Sequence, residues 1–267
     1  MDLGLAGRSC AVTGAGRGIG RATARMLCEE GANVLLIART ESELQAAAAE
    51  CEEAGSSTAG RAAPLNLDVT ADDAADAVLA ECTERFGSLD VVVNNAGTAK
   101  WRDLDEIPDE DWRAAYELNV MAPMRLMRAA IPAMAERGWG RVINVSSTAG
   151  KRPSAMMGEY SVAKAAELSL SRLYADRYAA QGVLINAICP GPITSEMWME
   201  DGGLLDQSRG KSGRKEGLAA AGAKRPIGRL GEVEEIAAAI TFLCSERASF
   251  VAGAAWSVDG GTVQGII

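Results

Sequence analysis

The sequence contains no histidine. That absence removes Ser-His and Cys-His nucleophilic sites, His-x-x-Glu-His zinc sites and imidazole acid–base chemistry. Any proton transfer falls to Tyr, Lys, Asp, Glu or Cys. No Cys-x-x-Cys pair occurs among the six cysteines, at positions 10, 28, 51, 82, 189 and 244. They are scattered and mostly inside apolar segments, which reads as buried free thiols in a reducing compartment, with no metal site expected. No run of about 18 apolar residues is available for a membrane span. No basic-then-apolar leader precedes the first apolar run, so a cytoplasmic location is expected. Basic residues are outnumbered 27 to 36, for a formal charge of −9, which argues against non-specific nucleic-acid binding. Nor does any linker or composition shift divide the 267 residues, so residues 1–267 read as one domain with a substantial core.

What the chain does have is an alternation of short apolar runs with helical stretches. Residues 9–12, 33–38, 61–67, 89–94, 140–147, 182–189 and 255–258 read as strands. Residues 21–28 read as a helix, as do 41–54, which Gly55 stops. Thr70 is expected to cap a helix with Asp72 and Asp73 in its first turn, running to about Phe86. Residues 109–136 predict a long helix, kinked or broken at Pro123 and Pro132. A loop over 148–158 and helices over 159–181 and 232–244 complete the pattern, with a loose, glycine-rich stretch at 195–224. The alternation predicts an α/β fold, a doubly wound parallel β-sheet (Rossmann fold) of about seven strands with helices on both faces. Ligands of such sheets bind at the carboxyl ends of the strands.

At the end of the first strand stands Thr13-Gly14-Ala15-Gly16-Arg17-Gly18-Ile19-Gly20. A strand, a glycine turn and a helix present bare N–H groups at a helix N-terminus, which suits a phosphate. The spacing is not Gly-x-Gly-x-x-Gly, because Ile19 stands where the third glycine would fall. Many strand–helix turns are glycine-rich for steric reasons alone. After the second strand, where an NAD-selecting carboxylate is expected, stand Ala38 and Arg39. Arg17 and Arg39 together suit a 2′-phosphate, which favours NADP(H) over NAD(H); solvated arginines are the plain alternative.

Tyr160 and Lys164 lie four apart on a predicted helix, hence on one face. An ammonium near a phenol stabilises the phenolate and supplies the acid–base group that histidine cannot. A surface lysine beside a half-buried tyrosine is the alternative. Ser147 ends the fifth strand and offers a hydroxyl to a substrate carbonyl, with Ser146 and Thr148 competing for the role and a turn cap as the plain reading. Asn119, a poor helix former inside a predicted helix, either orders a water or makes purely structural bonds.

In order along nearly the whole chain, these motifs resemble the short-chain dehydrogenase/reductase family, including its 3-oxoacyl-acyl-carrier-protein reductases. Further motifs carry the resemblance: Asp68-Val69, Asn94-Asn95-Ala96-Gly97, Pro190-Gly191, Arg229-Leu230-Gly231 and Val258-Asp259-Gly260-Gly261. The resemblance implies hydride transfer between NADP(H) and a ketone or secondary alcohol. Its implied catalytic set is Asn119, Ser147, Tyr160 and Lys164, the serine lying thirteen residues before the tyrosine. Tyr160 would protonate the substrate oxygen, Lys164 bind the nicotinamide ribose, Ser147 hold the carbonyl and Asn119 place a water. The implied cofactor contacts are Gly14, Gly16, Arg17, Gly18, Ile19, Gly20, Arg39, Asp68, Val69, Asn95, Ala96, Gly97, Tyr160, Lys164, Pro190, Gly191, Ile193 and Ser195, with Thr194 sharing the place of Ser195. Two other readings compete: an NAD-dependent sugar or diol dehydrogenase, and a dinucleotide-sensing protein without catalysis.

For the substrate, residues 100–102, 156–157 and 197–199, rich in Met and Trp, suggest an adaptable apolar wall or simple packing. Residues 195–224 read as a mobile lid. Its Arg209, Lys211, Arg214 and Lys215 suit an acidic acyl carrier or are merely solvated. The resemblance implies a homotetramer or homodimer through the two long helices, and the apolar tail Gly265-Ile266-Ile267 fits burial at a subunit contact.

Overall fold

A computed structural model describes residues 1–210 and 214–265, without the side chains of Arg209, Arg214 and Lys215. The expected lid cations Arg209, Lys211, Arg214 and Lys215 and the tail Ile266-Ile267 therefore lie outside the described residues or side chains.

Seven strands form one parallel sheet in the order β3-β2-β1-β4-β5-β6-β7. They are β1 (Ser9–Thr13), β2 (Asn33–Ala38), β3 (Arg61–Asn66), β4 (Val91–Asn94), β5 (Gly140–Val145), β6 (Val183–Pro190) and β7 (Ala255–Val258). The central strands β1, β4, β5 and β6 are buried throughout, as continuous apolar runs in a sheet covered on both faces should be. Alternate residues feed two cores. Cys10, Val12, Val34 and Leu36 pack with Leu27 of α1 (Gly18–Glu29), Leu44 of α2 (Glu41–Gly55) and Ile240 of the C-terminal helix. Ala11, Leu35 and Val92 pack on the other face with Val78 of α3 (Ala74–Phe86) and with Met127 and Ile131 from the helix before β5.

Helix α3 starts at Ala74, later than Thr70 implies, because Asp68 claims that threonine. Thr70 donates both its N–H, at 3.0 Å, and its hydroxyl, at 2.7 Å, to Asp68 Oδ1, a local turn that competes with helix. The expected long helix is α4 (Asp109–Tyr116), a π-helical turn over Glu117–Met121 and α5 (Ala122–Glu136). The break precedes Pro123, and none occurs at Pro132, which sits inside α5. Proline has no N–H to give the Asn119 carbonyl four residues back, while the Ala122 N–H reaches the Glu117 carbonyl five residues back. The stretch 148–158 is not all loop: it holds α6 (Thr148–Lys151) and a 3₁₀ turn, Ala155–Met157, before α7 (Gly158–Tyr178). The loose stretch after β6 forms α8 (Glu196–Met199), α9 (Leu204–Arg209) and α10 (Arg214–Ala223). The last helix, α11 (Val233–Cys244), opens with a capping box in which Glu232 and Glu235 exchange bonds with each other's backbone.

Candidate active site

The glycine turn is shaped by contacts that exclude side chains. Gly14 and Gly18 have φ of +65° and +56°, a region that disfavours other residues. A Cβ on Gly20 would stand 2.3 Å from the Gly14 carbonyl oxygen and 2.5 Å from Asn95 Nδ2. Thr13 ties this turn to the end of β4: its hydroxyl accepts from the N–H groups of Asn95, at 2.9 Å, and Ala96, at 3.0 Å. Asn95 Nδ2 returns bonds to the carbonyls of Thr13 and Gly14. The N-cap of α1 is Arg17, which makes no capping bond with its side chain, so the first amides of α1 have no side-chain acceptor from the cap. A tightly folded glycine turn at a helix N-terminus with no side-chain cap suits a dinucleotide's phosphates once the Glu196 carboxylate beside Gly18 gives way.

Arg17 and Arg39 are both exposed and both meet carboxylates. Arg17 Nη1 lies 2.5 Å from Glu200 Oε2, just beyond α8, and Arg39 Nη1 lies 3.7 Å from Asp68 Oδ2. The hydrogen bonds from Thr70, then the Arg39 guanidinium, hold the Asp68 carboxyl below its usual range. Val69, Thr13, Asn94 and Ala96 line a small cleft beside the turn.

Around Gly97 the elements converge. A Cβ there would lie 3.3 Å from Asn119 Oδ1 and 3.8 Å from Lys164 Nζ. Asn119 sits in the π-helical turn, fully buried; its Nδ2 donates to the Ala115 carbonyl at 2.8 Å, and its Oδ1 has no protein partner. An orphaned buried acceptor calls for a water or a ligand. Lys164, also buried, donates to the Val145 carbonyl at 2.7 Å and to Glu167 Oε2 at 3.0 Å. Its Nζ stands 5.8 Å from the centroid of the Tyr160 ring. Helix α6 lies against α7 here, since a Cβ on Gly150 would meet the Lys164 carbonyl carbon at 2.8 Å.

The two adjacent serines have separate jobs. Ser146 is buried and donates to the Lys164 carbonyl at 3.0 Å, which fixes α7 against β5. Ser147, half-buried, caps α6 by accepting from the Ala149 N–H at 3.1 Å. Its hydroxyl proton is thereby free to point elsewhere, so capping and substrate binding are compatible. Beyond β6, Ile193 bridges to Gly231, and the Thr194 hydroxyl turns to Glu232. That commitment leaves Ser195, the N-cap of α8 with no capping bond from its side chain, as the hydroxyl suited to a ligand. Pro190 ends β6 opposite Val258, and a Cβ on Gly191 would meet Asp259 Cα at 2.8 Å.

Two of the Met- and Trp-bearing segments, 100–102 and 156–157, are joined through the backbone, and the first is also tied to a side chain of α9. The Trp101 N–H donates to Gln207 of α9 at 2.7 Å, and the Arg102 N–H to the Met156 carbonyl at 2.9 Å. Lys100 and Arg102 both pair with Asp111.

Three acidic groups escaped the reading of the sequence. Glu196 approaches Gly18, Glu200 meets Arg17, and Glu167 meets Lys164. The last was visible as an i,i+3 pair on one helix face. Burial pushes the Glu167 carboxyl up to about 7, against the pull of Lys164 and Ser146. All six cysteines are buried and free; burial raises the Cys189 thiol to about 11 and those of Cys82 and Cys244 to about 12, which makes them inert as nucleophiles.

Residues 14–263 match a family model described as enoyl-(acyl carrier protein) reductase. The chain is 35% identical to the 3-oxoacyl-acyl-carrier-protein reductase of Vibrio cholerae, over 97% of this chain and 98% of that one. It is 38% identical to 2-(S)-hydroxypropyl-CoM dehydrogenase 3 of Xanthobacter autotrophicus, over 98% of each. Among solved structures, L-sorbose reductase from Gluconobacter frateurii, complexed with NADPH and L-sorbose, matches with a TM-score of 0.92 and 34% identity over the full length of both chains. With its seven-stranded parallel sheet, its glycine cradle and these relatives, the chain belongs to the short-chain dehydrogenase/reductase family, oxidoreductases that act on CH–OH groups.

Proposed function

We propose that the protein interconverts a ketone and a secondary alcohol with NADP(H), using Tyr160 as the proton-transfer group. The observation that carries this reading is the convergence at Gly97 of a buried lysine and an orphaned asparagine oxygen, with Tyr160 one helical turn from the lysine. When bound, the nicotinamide supplies the hydride or accepts it. The chain's own groups do the rest. The cradle at Gly14, Gly16, Gly18, Ile19 and Gly20 takes the pyrophosphate, Asp68 and Val69 the adenine, and Asn95, Ala96 and Gly97 the adenosine side. Pro190, Gly191, Ile193 and Ser195 take the nicotinamide amide. Ser147 donates to the substrate oxygen while Tyr160 gives it a proton. Lys164 favours the phenolate left behind and uses its remaining N–H on the cofactor ribose. Asn119 Oδ1, which has no protein partner, suits a water that returns the proton.

Arg17 and Arg39 support NADP(H) over NAD(H), provided each exchanges its carboxylate partner for a 2′-phosphate. Exposed ion pairs of this kind are worth about 0–1 kcal/mol and yield readily. A 3-oxoacyl thioester is the leading substrate class, from the likeness to the V. cholerae reductase. A ketose is the second, from the likeness to the L-sorbose reductase. Residues 195–224 act in this reading as a lid on a single domain, tied to the substrate mouth through Gln207 and Trp101. Exposed Val162 and Leu173 on α7 fit a homodimeric or homotetrameric contact. Oxidation of NADPH and of NADH, followed over carrier-bound 3-oxoacyl thioesters, ketoses and small ketones, tests the reading. Turnover with at least one class and a preference for NADPH are expected. No turnover with intact NADPH binding would favour a dinucleotide sensor, and a preference for NADH would favour a sugar or diol dehydrogenase.

A further inference from the structure

Glu167 takes no part in the chemistry just described, yet its carboxylate touches the cation on which that chemistry depends. Lys164 and Glu167 are 2% and 1% exposed, and Nζ and Oε2 stand 3.0 Å apart. An ammonium has three N–H donors. Here one is spent on Val145 and one on Glu167, leaving a single donor for a ligand. The lysine's direction is thus set from behind by a strand carbonyl and a helix carboxylate.

The pair also sets the charge that a phenolate at Tyr160 would meet. With Glu167 ionised, the pair is neutral overall. With Glu167 protonated, Lys164 presents a full positive charge 5.8 Å from the Tyr160 ring centroid. We infer that Glu167 is a positioning residue of this enzyme: its carboxylate aims Lys164 and offsets the ammonium charge, so that Tyr160 passes from acid to base at a higher pH than the lysine alone would set. The inference rests on the reading of Tyr160 as the proton-transfer group.

The surroundings leave Glu167 few other charges to answer to. On α7 it meets Lys164; from β5 it meets the uncharged Ser146 hydroxyl. From β6 the buried Cys189 thiol faces it, uncharged because burial raises that thiol to about 11. From α6 the nearest charge is Lys151, whose ammonium is bonded to the Ala255 carbonyl and the Ser257 hydroxyl. From the π-helical turn, Asn119 is neutral. Burial holds the Glu167 carboxyl up at about 7, so the offset is complete only above neutrality, in the range where a phenol loses its proton.

The test titrates tyrosinate absorbance and needs no substrate. The difference between the intact chain and Tyr160→Phe isolates the Tyr160 phenol, and the same difference is taken in a Glu167→Gln background. A unit charge on the order of 10 Å away at an effective dielectric of about 20 shifts a midpoint by roughly one pH unit. The Glu167→Gln midpoint should fall by about that amount, and the pH profile of alcohol oxidation should move with it. A midpoint unchanged in folded Glu167→Gln, with only melting temperature or kcat lowered, makes Glu167 structural and overturns the inference, while the role of Tyr160 stands. Retained turnover in Tyr160→Phe overturns both. Should Glu167→Gln not fold, Glu167→Asp keeps the charge but weakens its contact, and a smaller downward shift is expected; no shift overturns the inference. In the unmodified chain, carbon-13 spectra of labelled glutamate should show one carboxyl titrating near neutrality. If one glutamate carboxyl instead stays protonated through the range in which Tyr160 titrates, the offset has no source there and the inference fails.

Discussion

Replacing Thr13 by valine keeps the shape of the side chain and deletes one hydroxyl. That hydroxyl accepts from Asn95 N at 2.9 Å and from Ala96 N at 3.0 Å, and donates to the Val93 carbonyl at 3.3 Å. Thr13 is 3% exposed, and the two donors lie only partly buried at the end of β4. Each donor left without a partner costs about 1–3 kcal/mol when buried. Taking the lower end for two partly buried groups, Thr13→Val should destabilise the chain by about 2–3 kcal/mol. In a chain of this size that lowers the melting temperature by roughly 5 °C. Thr13→Ser keeps the hydroxyl and loses one buried methyl, for about 1 kcal/mol. Because Thr13 also anchors the glycine turn, NADPH affinity measured by fluorescence should fall in the valine variant and hold in the serine variant. Thermal melts that rank valine at or above serine would refute the assignment of the hydroxyl as the tie between β1 and β4.

Three further outcomes follow from the same geometry. Gly20→Ala puts a Cβ 2.3 Å from the Gly14 carbonyl oxygen, so NADPH binding should weaken at least about tenfold through displacement of the turn; a wild-type dissociation constant by calorimetry would contradict this. Arg17→Ala should raise KM for NADPH about tenfold and leave KM for NADH unchanged, with little loss of stability because the Arg17–Glu200 pair is exposed; parallel changes for both cofactors would argue against a 2′-phosphate contact. The Glu167 carboxyl titrates near 7 when folded and near 4.5 when unfolded. A raised folded value favours the protonated folded state, so this stability is complete below about 4.5 and is lost as pH rises through about 7. Urea denaturation should therefore show Glu167→Gln gaining on the unmodified chain as pH rises across that window, and a constant difference would count against the titration.

The sheet was legible because its strands are short, continuous apolar runs such as 33–38 and 91–94, which need no partner to be recognised. The glycine turn was legible through steric need, and the Tyr160–Lys164 pair through helical spacing. The π-helical turn at Glu117–Met121 was not, because α- and π-helical turns differ by one residue in their hydrogen bonds and no side chain marks the choice. Proline signalled a break but not its form. Helix α7 misleads for a different reason: its polar residues Ser161, Lys164, Glu167 and Ser171 face inward, while Val162 and Leu173 are exposed. Apolar periodicity therefore points to the wrong inner face, which conceals the burial of Glu167. The partition of work between Ser146 and Ser147 depends on where α7 comes to rest against β5, a tertiary fact that adjacent serines cannot disclose. Asp68 shows the reverse case: its motif was read as an adenine contact, and its capture of Thr70, which delays α3, was the part missed.

Tyr160 is proposed to transfer the proton, with most of the hold on the cofactor supplied by the other contacts. The most direct measurement compares Tyr160→Phe with the unmodified chain for both NADPH binding and NADPH-dependent carbonyl reduction. The account predicts that affinity for NADPH stays within about twofold while turnover falls by at least about 10²-fold, the typical contribution of a general acid. Turnover retained in Tyr160→Phe would contradict it.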